Sequence, residues 1–100
     1  MEREYQTTSE TTFRNCVLTS YDYGSEQLHI LRTTGPLGRR ERIPIFEHIL
    51  KINSSGKLFY TLDNRGGHEI ELSPEDMDVL NNLLMTGGIN YVRGAVITSD

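Results

Sequence analysis

Cys16, His29, His48 and His68 are the side chains best suited to hold a transition metal or to pair as nucleophile and base. Successive members lie 13, 19 and 20 residues apart, with no close pair of the kind a structural zinc site uses. No metal is expected. Cys16 sits in Arg14-Asn15-Cys16-Val17, which supplies no device to stabilise a thiolate, so a buried structural thiol is the expectation. Gly35-Pro36-Leu37-Gly38-Arg39-Arg40 lacks the lysine and hydroxyl of a phosphate-binding loop, and Gly66-Gly67 and Gly87-Gly88 read as turns. Glu69 and Glu71 share one parity of a strand-like run, where alternate acids more often guard a sheet than catalyse. Asn53-Ser54-Ser55 matches a glycosylation acceptor, idle without a secretory signal. No catalytic constellation is complete, so neither an enzyme nor a cofactor is expected.

The charges carry more information. Of 100 residues 24% are charged, with a net charge of -4. Residues 1–31 total -3, residues 32–65 total +4, and residues 66–86, which hold Glu69, Glu71, Glu75, Asp76 and Asp78 and no base, total -5. A basic middle beside acidic flanks makes a dipole that steers a charged partner, while the negative total opposes unspecific binding to a polyanion. Within the basic middle, Arg39, Arg40 and Arg42 cluster beside Pro36, with Arg32 and Lys57 expected near them.

The elements that must position these residues follow from periodicity. Residues 1–11 are polar and threonine-rich and are expected to be a flexible arm, with a single α+β domain over residues 12–100. Apolar and β-branched residues predict strands over residues 12–20 and 26–34, joined at Asp22-Tyr23-Gly24-Ser25. Residues 40–46 read as a third strand, at an edge or bulge because of Pro44, and residues 47–53 as its continuation or a strand of their own. Residues 57–62 and 68–72 read as two more strands around the turn Asp63-Asn64-Arg65-Gly66-Gly67. Ser73-Pro74-Glu75-Asp76 is a helix start, and Met77, Leu80, Leu83 and Leu84 extend it to Gly87-Gly88. Residues 89–98 alternate again as a final strand. The expected fold is therefore an antiparallel sheet of five to six strands, one helix over residues 74–86 packed on one face, and a closing strand.

Two functions fit that frame. In the first, a small cytoplasmic regulatory, adaptor or inhibitor protein binds another protein and pairs as a homodimer, with Tyr21, Tyr23 and Leu37 as apolar anchors. The cytoplasmic reading rests on the lone cysteine and on an N-terminus without a basic flank and apolar stretch. In the second, Arg32, Arg39, Arg40, Arg42 and Lys57 bind single-stranded DNA or RNA beside the stacking faces of Tyr21, Tyr23, Phe46, Phe59 and Tyr60. Several strands followed by a helix, meeting at Leu72-Ser73-Pro74-Glu75, resemble the Pur-alpha or Whirly type of single-strand binder in element order alone. No apolar run is long enough to span a membrane. Both readings lean on an arginine-bearing rim gathered outside a braced sheet.

Overall fold

The computed structural model of the chain describes residues 7–99. Strands β1 (Thr7–Phe13), β2 (Cys16–Asp22) and β3 (Gln27–Thr33) form an antiparallel meander. Helix α1 (Arg39–Ile52) then leads to β4 (Lys57–Asn64), and helix α2 (Pro74–Thr86) to β5 (Tyr91–Thr98). The five strands lie in chain order in one sheet, with β3–β4 and β4–β5 parallel.

The expected strand over residues 12–20 is two strands. The chain folds back at Arg14-Asn15, which separates the paired residues Phe13 and Cys16. Asn15 adopts a φ of 65°, a left-handed conformation asparagine tolerates, and its side-chain amide donates to Pro36 O at 2.8 Å. Of the expected arm, residues 1–6 lie outside the described residues, while residues 7–11 pair along β2.

The largest correction is at residues 40–53, which belong to helix α1 up to Ile52, with Asn53 closing it, rather than to one or two strands. Arg42, Ile45, Phe46 and Ile49 are its buried residues, a spacing of three and four that places them on one side of a helix. Pro44 argues against helix by removing one donor, but it stands within the first two turns and is exposed. The start is held by Glu41, whose carboxylate accepts from Gly38 N at 2.9 Å.

That helix also makes the sheet mixed rather than antiparallel. An intervening helix returns the chain to the end from which β3 began, so β4 must run parallel to β3. The expected strand at residues 68–72 has no place, because both sides of β4 are already occupied by β3 and β5. Its carbonyls bond elsewhere: Glu69 O accepts from Leu37 N at 2.8 Å, and Ile70 O from Arg42 at 2.6 Å. Two interleaved helices also depart from the strands-then-helix order that suggested a single-strand binder.

α2 begins and ends where the sequence places it. Ser73 Oγ accepts from Asp76 N at 3.0 Å, and Asp76 accepts in return from Ser73 N. Two successive crossovers of the usual hand, stepping in one direction across the sheet, would place both helices on one face, and the two helices do pack against each other. Between helices and sheet lies the core, with Leu18, Leu31, Leu58 and Leu62 meeting Ile45, Ile49, Leu80 and Leu84. No helix among the described residues is long and apolar enough to cross a membrane.

Candidate binding surface

Strand alternation sends one set of side chains under the helices and the other to a face that no helix among the described residues covers. Register pairs the second set into rows across the sheet. One row is Thr8, Tyr21, Leu28, Phe59 and Arg93; the next is Glu10, Thr19, Ile30, Thr61 and Ala95; the third is Thr12, Val17, Arg32, Asp63 and Ile97. Val17, Tyr21, Leu28, Ile30 and Phe59 are only half-buried there, and Tyr91 and Ile97 are 45% and 42% exposed. The rings of Phe59 and Tyr91 tilt together with centroids 6.0 Å apart. Beside the β2–β3 turn, Tyr23, Glu26, Leu28 and Phe59 line a depression of about 230 Å³.

Charge frames this apolar face. Arg32, Lys57 and Arg93 make no ion pair among the described residues. Asp63 is claimed by Arg65, whose Nε and NH2 donate at 2.9 and 2.7 Å. Those bonds hold the Asp63 carboxyl below its ordinary pKa, and the charge of Arg32 acts in the same sense. Among the described residues the unpaired charges around the apolar rows are thus Arg32, Lys57 and Arg93, against Glu26 at the depression and Glu10 near the far edge.

The residues singled out from the sequence do not form one rim. Arg32 and Lys57 belong to the open face. Arg39 and Arg40 are exposed in the first turn of α1, in the helix layer, and Arg39 meets Asp76 of α2 at 3.4 Å. Arg42 is buried, with Nε and NH2 donating to Leu37 O and Ile70 O at 3.1 and 2.6 Å. It clamps two loops together and presents no charge to solvent. Tyr21 stands half-buried on the open face and Tyr23 is exposed in the adjoining turn, whereas Leu37 is fully buried in the core. Leu28, Ile30, Tyr91, Arg93 and Ile97 were not foreseen. For Leu28 and Ile30 a signal lies in the sequence, since both parities of β2, β3 and β4 carry apolar residues; for Tyr91, Arg93 and Ile97 it does not, because only the pairing of β5 with β4 puts them in these rows.

On the covered side, a polar array joins β2, β3 and the end of α1. Asn53 Nδ2 donates to Ser55 O and Lys57 O, which leaves Oδ1 to accept from His29 Nε2 at 2.9 Å. His29 Nδ1 therefore accepts from Ser20 Oγ, at 2.8 Å. Ser20 and His29 are both buried, and the array fastens the α1–β4 loop to the sheet. Burial pushes the Cys16 thiol up to about 11, against the pull of Arg42 and Arg32, so it stays protonated at neutral pH. Among the described residues, no three of His, Cys, Asp and Glu gather closely enough to hold a metal ion. In comparison with known proteins, the chain matches no family model, no curated protein and no solved structure.

Proposed function

We propose that this protein acts without catalysis, as a regulatory or adaptor module that binds another protein on the uncovered face of its sheet. The row Tyr21, Leu28, Phe59 and Arg93 carries the reading. Aromatic and aliphatic side chains with an arginine at the rim make up the composition of protein interfaces, where buried anchors supply the affinity. Arg32, Lys57 and Arg93 fit a partner whose apolar patch is bordered by carboxylates. The depression beside Phe59 seats one apolar side chain of that partner.

The test is retention of host proteins on the immobilised chain, with and without nuclease, followed by titration of the purified partner. Phe59→Lys is expected to weaken the partner about tenfold or more, with nuclease having no effect. Retention of the same proteins with equal affinity by wild type and Phe59→Lys removes the reading.

Single-stranded nucleic acid is a second reading, favoured by the Phe59–Tyr91 ring pair beside Lys57 and Arg93. It draws on Arg32 and Lys57 but not on the buried Arg42, and the net charge of -4 opposes it. A gel shift at low salt that weakens as salt rises supports it. Absence of any shift at low salt ends it.

A further inference from the structure

The two edges of the sheet are built differently. Outer strand β1 carries Thr8, Ser9, Glu10, Thr11 and Thr12. β5 carries Tyr91, Val92, Ala95, Val96 and Ile97 with one charge, Arg93, and every residue in it is exposed. An open strand rich in valine and isoleucine, without proline or lysine, is a template for another strand. Val92 and Val96 project to the helix side, in register with Leu58 and Leu62, yet are 47% and 55% exposed. α2 therefore leaves the helix side of this edge partly bare, and a groove of about 530 Å³ lined by Leu84, Met85, Ile89 and Val92 runs there.

From these features we infer that β5 is the dimer interface of this protein, pairing antiparallel with β5 of a second copy about a twofold axis at Gly94. The sequence of the strand selects the occupant. Tyr91-Val92-Arg93-Gly94-Ala95-Val96-Ile97 has nearly the same pattern in both directions from Gly94. Pairing centred there sets Val92 against Val96 of the second copy and Tyr91 against Ile97, each twice, and opposes Arg93 to Ala95. Centring on Arg93 would oppose two guanidinium groups, and centring on Ala95 would set Val92 against Thr98. An axis perpendicular to the sheet keeps the helices of both copies on one side, so Val96 of the second copy covers the groove beside Leu84 and Met85. Unsatisfied backbone groups of two edges meet, and one continuous ten-stranded sheet results. The inference stands whether or not the open face binds a partner.

Sedimentation of the full chain across the micromolar range is expected to show a dimer. Val96→Lys, at an exposed position, is expected to raise the dissociation constant about tenfold or more with an unchanged circular dichroism spectrum. Leu28→Lys on the open face is expected to leave the dimer intact. The register has its own test, which does not depend on Val96→Lys folding. Directly opposed antiparallel residues lie about 4.5–5.5 Å apart at Cα, within the reach of a disulfide. Val92→Cys combined with Val96→Cys is therefore expected to cross-link nearly all of the chain as covalent dimer on oxidation, while either single variant gives only traces. Wild type that sediments as a monomer, a dimer dispersed by Leu28→Lys but not by Val96→Lys, or equal cross-linking by the single and double variants overturns the inference.

Discussion

His29 Nε2 donates to Asn53 Oδ1 at 2.9 Å, joining the middle of β3 to the residue that closes α1. The companion bond, in which Nδ1 accepts from the hydroxyl of Ser20, needs a neutral imidazole, because Nδ1 must keep its lone pair. Burial and, to a lesser degree, His48 hold the pKa of His29 below the usual 6.5, with the bond to Asn53 pulling the other way. The unfolded chain thus takes up a proton before the folded one does. Stability from this group is complete above the unfolded pKa and falls as pH drops through about 6.5 towards the lower folded value. The urea midpoint is expected to decline between about pH 7 and pH 5, and His29→Gln to flatten that decline. A midpoint of the His29→Gln variant that falls as steeply as wild type assigns the dependence elsewhere.

Arg42 separates structural arginine from surface arginine within one short run. Arg42→Ala leaves Leu37 O and Ile70 O without their donor and removes a buried side chain that packs under the loops. A loss of about 2–4 kcal/mol is expected in chemical denaturation. Arg40→Ala, at an exposed position two residues away, is expected to stay within about 0.5 kcal/mol. Similar losses at both positions would mean that the two carbonyl contacts do not set the cost.

Gly94 lies against the ring of its neighbour. A Cβ at this position would stand 2.5 Å from Tyr60 Cζ, so the half-buried ring would have to shift to admit it. Gly94→Ala is expected to destabilise by about 1–3 kcal/mol through overpacking. Combining it with Tyr60→Ala should recover part of that loss in a double-mutant cycle, because the obstructing ring is gone. Additive losses would show that the ring is not the obstacle.

These positions also show what the sequence makes legible. Helix α2 was readable to the residue because its start signal is local: Ser73, Pro74 and Asp76 are chain neighbours whose chemistry needs nothing from elsewhere. The β2–β3 hairpin was readable for the same reason, through Asp22 accepting from Gly24 N. Helix α1 was hidden by competition between two signals, the helical spacing of Arg42, Ile45, Phe46 and Ile49 and the strand-like Ile43-Pro44-Ile45, which overlap in the same residues. With residues 40–53 read as strand, the parallel pairing of β3 and β4 does not follow, since nothing in either strand records its neighbour's direction. The open face was less legible still. Each of its rows joins residues from all five strands, and only register brings Tyr21, Leu28, Phe59 and Arg93 into line.

Ile30 and Leu31 turn that distinction into an experiment. They are adjacent in β3, but Leu31 is 1% exposed under the helices while Ile30 is half-buried on the open face between Thr19 and Thr61. Leu31→Ala opens a cavity among Leu18, Leu62 and the helix side chains, and is expected to cost about 2–5 kcal/mol. Ile30→Ala removes atoms that already touch water, and is expected to cost less than about 1.5 kcal/mol. Binding should show the opposite order: a partner on the open face loses an anchor in Ile30→Ala and none in Leu31→Ala, measured below the melting temperature of both variants. If both substitutions weakened the partner in proportion to their loss of stability, the open face would be ordinary half-buried sheet, and the docking surface would have to lie elsewhere.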